Sequence, residues 1–280
     1  MMKIAITGAS GFIGKYVIDE LDKYDVEIIG ITRKKNLQKH QSKKIHWLNI
    51  DLSKPTINLF QEIGSPQVLI HLAWDGLPNF NSLHHFEHES IYQYNFLKNL
   101  IEQGLSNIVT TGTCLEYGNK SGCLTEDKNV RPITPYGFAK NELREKLTFL
   151  KKNTPFKLAW CRLFYMYGDG QSVNSIWPQL KLAIENKNSI FKMSGGEQLR
   201  DYLHVRDVAR YLVQIALLNV DIGTVNIASG QPISIRTLVE NWIIENRWDI
   251  KLDLGHFPYP SYEPMAFWGS NQKLRNLLNK

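Results

Sequence analysis

The stretch Lys3-Ile4-Ala5-Ile6-Thr7-Gly8-Ala9-Ser10-Gly11-Phe12-Ile13-Gly14 decides how the rest of the chain is read. It opens as an apolar strand and closes on three glycines spaced G-x-x-G-x-x-G, after which an amphipathic pattern begins. A glycine turn from strand to helix lets backbone N–H groups approach a pyrophosphate, and the helix N-terminus favours the negative charge. Gly8, Gly11 and Gly14, with Ser10, Phe12 and Ile13 among them, are therefore expected to hold a dinucleotide.

Outward from this turn, short apolar runs alternate with amphipathic stretches, the pattern of a parallel sheet covered by helices. Strands are expected at Lys3–Thr7, Glu27–Thr32, Ile45–Asn49, Val68–Leu72, Asn107–Thr111 and Lys157–Leu163, and helices at Gly11–Leu21, Leu83–Gln103 and Pro135–Lys152. A helix at Val205–Leu218 and a last strand at Thr224–Ile227 follow a turn-rich change of rhythm after Tyr167-Gly168. The expected fold is α/β: a Rossmann-like doubly wound parallel sheet, with its ligand at the carboxyl ends of the strands. Residues 1–166 and 204–229 are assigned to the dinucleotide-binding domain, and 167–203 with 230–280 to a small C-terminal substrate-binding lobe.

Composition narrows the class. The 280 residues are 43% hydrophobic and 21% charged, ordinary for a globular protein. No apolar run reaches the roughly 20 residues of a membrane span. The chain enters a strand at once, so no signal peptide is expected. Cys114, Cys123 and Cys161 form neither a paired framework nor a metal spacing, which suits a reducing cytoplasm. Cys161 reads as a small buried hydrophobe. The net charge of +6 is spread without an aromatic-interleaved basic stripe, so no nucleic-acid partner is expected. His84, His85 and His88 include an i, i+4 pair but no third ligand in register, and read as an exposed helix face rather than a metal site.

Where an NAD site usually carries an acidic residue, at the end of the second strand, this chain has Thr32-Arg33-Lys34. A 2′-phosphate finds charge-assisted partners in Arg33 and Lys34, so NADP(H) is the expected cofactor. Asp51, after the third strand, suits the adenine amino group, with Leu52 beside it. Tyr136 and Lys140 stand one helical turn apart in Pro135-Tyr136-Gly137-Phe138-Ala139-Lys140. A lysine on the same face favours the tyrosinate, and the phenol then exchanges a proton with a carbonyl oxygen as hydride moves. Lys140 also reaches the cofactor ribose, and Thr113 offers a hydroxyl to the same carbonyl oxygen.

These elements together resemble the extended short-chain dehydrogenase/reductases that act on nucleotide sugars. The likeness runs over nearly the whole chain: Thr7–Gly14, His71-Leu72-Ala73, Asn95, Thr111–Gly118, Tyr136 with Lys140, Arg162-Leu163-Phe164 with Tyr167-Gly168, residues 200–208, and Asn226–Gly230. Leu72 and Ala73 are counted with the cofactor site. The resemblance implies a nucleoside-diphosphate-sugar substrate, with Arg200 on its pyrophosphate. It also implies a homodimer packed through the helices near Leu83–Gln103 and Pro135–Lys152. The substrate set is Thr113, Tyr136, Tyr165 and Arg200. Tyr165 stands where the family has Asn, which reshapes the sugar pocket. Trp74–Pro78 and Pro264–Gly269 are candidate walls for it.

Departures narrow the reaction. Sugar 4,6-dehydratases carry Asp-Glu after the catalytic Thr; here Thr113 is followed by Cys114-Leu115, which argues against elimination. Epimerase–reductases of the GDP-fucose type place a cysteine two residues after the hydroxyl, where this chain has Leu115. Cys114 is one residue off that register. The expected activity is NADPH-dependent reduction of a nucleotide-linked 4-keto-6-deoxysugar, closest to dTDP-4-keto-6-deoxyglucose reductases that form dTDP-fucose for a surface polysaccharide. The alternative is a 4-epimerase of the UDP-glucose type. A non-catalytic dinucleotide sensor is disfavoured by the intact Tyr136/Lys140 pair with Thr113.

Overall fold

The computed structural model describes residues 1–33, 42, 44–259 and 264–279. Seven parallel strands form one sheet in the order Gly223–Ile227, Lys157–Leu163, Asn107–Thr113, Val68–His71, Met2–Thr7, Val26–Thr32, Ile45–Asn49. Six are largely buried, as strands covered on both faces must be, and the edge strand Ile45–Asn49 is not. Neighbours pair without offset along their length, for example Ile4↔Ile28, Ile4↔Val68, Leu69↔Ile108 and Val109↔Ala159.

Side chains alternate between two cores. Ile4, Ile6, Ile28, Val68, Ile70 and Val225 pack with helices Phe12–Leu21 and Val205–Leu218. The second helix presents Val205, Val208, Ala209, Leu212, Val213 and Ala216 at helical spacing, which makes one continuous buried stripe. Ala5, Ile29, Ile31, Leu69, Ile108 and Trp160 face the other way, onto Phe96, Leu97 and Leu100 of Ser90–Glu102 and Leu143, Leu147 and Leu150 of Pro135–Asn153. Cys161 is fully buried in the first core, and burial pushes its thiol well up.

The chain reverses strand order between Met2–Thr7 and Val68–His71, so a crevice opens at their carboxyl ends, the place where doubly wound sheets bind ligands. A separate apolar cluster gathers Leu180, Ala183, Phe191, Met193, Leu238, Val239, Trp242 and Ile250. Its small parallel pair joins Ile190–Lys192 to Lys251–Asp253. Two short parallel strands, Gly122–Leu124 and Phe267–Gly269, bring the end of the chain against the segment after Thr113. Helix Gln272–Leu277 places Leu274 in the core of the main sheet rather than in that separate cluster.

The expected element types match, with shifts at the ends. The strand expected at Asn107–Thr111 continues to Thr113, because Gly112 and Thr113 find partners in Arg162 and Leu163. The helix expected over Leu83–Gln103 divides into a π-helical turn at His85–Glu89 and an α-helix at Ser90–Glu102. No helix among the described residues is long and apolar enough to cross a membrane.

Candidate active site

The glycine turn builds one wall of a cleft of about 540 Å³ at the switch point, a volume within the range of small-molecule sites. Gly8 has φ +68°, and a Cβ there would lie 2.9 Å from Ala73 N. At Gly14 a Cβ would fall 2.3 Å from Gly8 O and 2.6 Å from Ala9 O, so the helix lies against the turn only without a side chain. Gly11 caps the helix with no side-chain hydrogen bond, which leaves the first helical N–H groups for a ligand. Ser10 Oγ meets Thr32 Oγ1 at 2.9 Å and ties the turn to the second strand. The cradle, the bare helix N-terminus and the cleft volume together fit a dinucleotide.

Of the residues expected to bind a cofactor, Gly8, Ser10, Gly11, Phe12, Ile13, Gly14, Arg33, Asp51, Leu52, Leu72 and Ala73 all line this cleft. Lys34 lies outside the described residues. Asp51 accepts from Ser53 Oγ at 2.8 Å and Ser53 N at 3.1 Å, and these bonds hold its carboxyl below the usual range. Arg33 is engaged across the cleft mouth: its Nη2 donates to Asp75 Oδ1 at 3.1 Å. Partial burial works against ionisation of Asp75, yet Arg33 outweighs it and holds the carboxyl low. His84, Glu89, Tyr92 and Gln93 also line the cleft, and sequence reasoning did not count them there.

Tyr136 and Lys140 sit on the buried face of Pro135–Asn153, in line with Leu143, Leu147 and Leu150. Thr134 caps this helix by accepting from Gly137 N at 3.1 Å, and Pro135 occupies its first turn. Gly137 packs against the turn after Thr113, where a Cβ would lie 2.7 Å from Leu115 O. Thr113, Tyr136 and Lys140 are 7%, 8% and 2% exposed.

None of these three lines the dinucleotide cleft; Trp74 does. Lys140 Nζ lies 3.9 Å from the Trp74 ring centroid and donates to Thr111 O at 2.9 Å. Trp74 Nε1 donates to His85 Nδ1 at 3.1 Å, so the other ring nitrogen, Nε2, carries the proton and donates to Asn79 O at 2.7 Å. The Tyr136 ring is enclosed by His85, Phe80 and Trp74, at centroid distances of 5.2, 5.6 and 5.9 Å. His85 is therefore fully buried, a correction to the exposed helix face expected for the histidines; His88 is exposed and His84 lies between.

This enclosure also corrects the expected electrostatics. Burial pushes the Tyr136 phenol far up, with Glu116 and Cys114 adding to the effect. Burial pulls Lys140 down to about 7, against the opposing charges of Glu116 and Glu89. Burial, with Glu116 and Cys114, rather than the lysine charge sets the direction for the phenol, opposite to the one expected. Nearby, His71 is held neutral, pushed down to about 3 by burial and the Lys140 charge. Its Nδ1 meets Thr7 Oγ1 at 2.8 Å, while that hydroxyl accepts from Leu72 N and Ala73 N.

Arg200 and Tyr165 lie away from the cleft. The Arg200 guanidinium is 4.5 Å from the Phe267 ring and 6.0 Å from the Tyr165 ring, and donates to Leu199 O and Met265 O. Phe267 and Pro264 join Cys114, Leu115, Gly118, Ile133 and Thr134 around a small depression on the Thr113 side. Of the expected sugar-pocket walls, the 264–269 segment therefore reaches the Thr113 turn, and Trp74 reaches Lys140. Sequence reasoning missed Glu116, which is fully buried behind Thr113; its signal was the Thr-x-x-Glu capping box at Thr113–Glu116.

The profile of the NAD dependent epimerase/dehydratase family matches residues 4–228. The dTDP-6-deoxy-L-talose 4-dehydrogenase (NAD(+)) of Aggregatibacter actinomycetemcomitans is 33% identical over 276 residues, 96% of this chain and 100% of that protein. The dTDP-4-dehydro-6-deoxyglucose reductase of Escherichia coli is 28% identical over 257 residues, 85% of this chain and 79% of that protein. Among solved structures, the UDP-N-acetylglucosamine 4-epimerase of Methanobrevibacter ruminantium M1 superposes with a TM-score of 0.86 at 20% identity, covering 99% of this chain and 91% of that one. That last likeness is one of fold.

Proposed function

This chain belongs to the NAD-dependent epimerase/dehydratase family, and we propose that within it the protein reduces the 4-keto group of a nucleotide-linked 4-keto-6-deoxysugar. The family acts on nucleotide sugars with a nicotinamide dinucleotide, which when bound supplies or accepts the hydride. The reading is carried by geometry: the Tyr136 phenol stands one helical turn before Lys140 on the buried face of its helix, which packs against the turn after Thr113. A protonated phenol is a general acid, ready to give its proton to a ketone oxygen. Thr113 donates its hydroxyl to the same oxygen and holds it in place. Lys140 lies one turn on, and its ammonium stabilises the phenolate that forms as the proton leaves. The enclosing Trp74, Phe80 and His85 keep bulk water from the phenol.

The finer assignments belong to this proposal. The substrate is dTDP-4-keto-6-deoxyglucose and the product dTDP-fucose, destined for a surface polysaccharide, and the enzyme works in the cytoplasm. Both relatives quoted above carry names of C4 oxidoreductases of dTDP-linked 6-deoxyhexoses. Gly8 through Gly14 hold the pyrophosphate of the dinucleotide, Asp51 and Leu52 its adenine, and Leu72, Ala73 and Lys140 its nicotinamide ribose. Arg33 with Lys34 selects NADP(H). Arg200 and Tyr165 serve the sugar nucleotide. Residues 1–166 with 204–229 form the dinucleotide-binding domain and 167–203 with 230–280 a substrate-binding lobe whose last helix returns Leu274 to the main core, and the protein is a homodimer. In support of the latter, helices Ser90–Glu102 and Pro135–Asn153 expose Ile91, Tyr92, Phe138 and Phe149.

A second reading is nucleotide-sugar 4-epimerisation with tightly held NAD. It is favoured by the engagement of Arg33 with Asp75. The deciding experiment is a screen of NADPH and NADH oxidation against dTDP-, GDP-, UDP- and CDP-4-keto-6-deoxysugars. Stoichiometric consumption with one of them supports the reductase. Sugar epimerisation without net consumption of added cofactor replaces it with the second reading.

A further inference from the structure

A buried carboxylate that the proposed reaction does not use lies directly behind Thr113. Glu116 is 0% exposed. Its Oε1 accepts from Thr113 N at 2.9 Å and from Trp160 Nε1 at 3.0 Å, and its Oε2 accepts from Arg162 Nε at 2.7 Å. Space for it exists because residue 112 is glycine: a Cβ there would lie 2.4 Å from Glu116 Oε1 and 2.2 Å from Trp160 Nε1. One residue before this glycine, Thr111 O accepts from Lys140 Nζ. Glu116 and Lys140 thus grip the same three residues of strand.

Holding the turn does not require a charge there. Thr113 Oγ1 already accepts from Leu115 N, and a neutral side chain can take the Thr113 N–H. An ionised carboxylate taken out of water carries a large desolvation cost that its partners must offset. The charge also acts on the catalytic pair. Among the charges acting on Lys140, Glu116 favours the ammonium most, ahead of Glu89, and Glu116 is the foremost charge on Tyr136. The other groups facing Lys140 are neutral His71 and the Trp74 ring; those facing Tyr136 are Cys114 and the rings of Trp74, Phe80 and His85.

We infer that Glu116 is a positioning residue of the active site, which fixes the Thr113 main chain and hydroxyl and supplies the buried anion that answers the Lys140 ammonium. This rests on the reading of Thr113, Tyr136 and Lys140 as catalytic. Arg162, stacked 4.5 Å over the Tyr117 ring, neutralises Glu116 on the far side from that task.

The test uses Glu116→Gln and, because that change strands a buried Arg162, the neutral pair Glu116→Gln/Arg162→Met. Lysine labelled with ¹³C, assigned by loss of one signal in Lys140→Arg, reports the Lys140 titration without any substrate. In the folded variant the midpoint, near 7 in the wild type, is expected to fall by about one unit. With keto-sugar nucleotide, kcat is expected to fall about tenfold while the Kd for NADPH stays within about twofold. A midpoint that stays in place, or a kcat within about twofold of wild type in the neutral-pair variant, overturns the inference. A wild type that reduces none of the keto-sugars overturns the proposed function instead, and the titration still judges Glu116.

Discussion

Replacing Asp75 with asparagine is expected to improve the use of NADPH and leave NADH unchanged. Arg33 and Asp75 meet at 3.1 Å across the cleft mouth, with side chains 63% and 49% exposed. A pair that open to water contributes about 0.2–1 kcal/mol. A 2′-phosphate recruiting Arg33 must first give up that pairing, so its removal is worth about 1.4- to 5-fold in affinity. Losing the guanidinium costs more. A charge-assisted hydrogen bond is worth about 1.5–3 kcal/mol, or about 10- to 150-fold, so Arg33→Ala erodes NADPH use by that factor. The assay is kcat/KM for both cofactors in wild type, Asp75→Asn, Arg33→Ala and the double variant. If competition for Arg33 is the cause, Asp75→Asn brings no gain once Arg33 is gone. The same gain in the Arg33→Ala background would show that Asp75 repels the phosphate directly and would refute the argument. Equal use of NADH and NADPH by wild type would remove Arg33 from the role altogether.

Tyr136→Phe is expected to keep NADPH and sugar-nucleotide binding while kcat falls on the order of 10² or more; near-wild-type kcat in single-turnover assays would displace Tyr136 as proton donor. Arg200→Ala is expected to raise the sugar-nucleotide KM about 10- to 150-fold with little change for NADPH, and an unmoved KM would take Arg200 out of the substrate site. His71 makes stability depend on pH. Its folded pKa of about 3 lies below the unfolded value of 6.5, so the unfolded chain binds the extra proton between those values. Stability is therefore full above about pH 6.5 and falls by about 1.4 kcal/mol per unit as pH drops toward 3. Urea titrations from pH 7.5 to 4.5 in wild type and His71→Asn check this, the slope being expected to flatten in the variant.

The parts of the fold that rest on local pattern were legible in the chain. Apolar runs marked the sheet strands, the glycine turn marked the first crossover, and Thr134-Pro135 marked the start of the helix carrying Tyr136 and Lys140. The elements that depend on partners far along the chain were not. Thr111-Gly112-Thr113 looks like the exit from a strand, and only pairing with Cys161, Arg162 and Leu163 keeps it in the sheet. The Glu116–Arg162 pair spans 46 residues and leaves no periodic trace. Spacing alone put Lys140 beside Tyr136, but it carried no information on how thoroughly Trp74, Phe80 and His85 bury them. Burial reversed the expected effect on the phenol.

The dinucleotide cleft and the depression beside Thr113 draw on different stretches of the chain. Every described residue lining the cleft falls between Gly8 and Gln93, whereas the depression needs Pro264 and Phe267. On a ribosome the described residues of the cleft leave the exit tunnel well before Pro264 and Phe267 do. N-terminal structure forms while synthesis continues. A nascent chain thus carries the described lining of its cleft well before the depression beside Thr113 is complete.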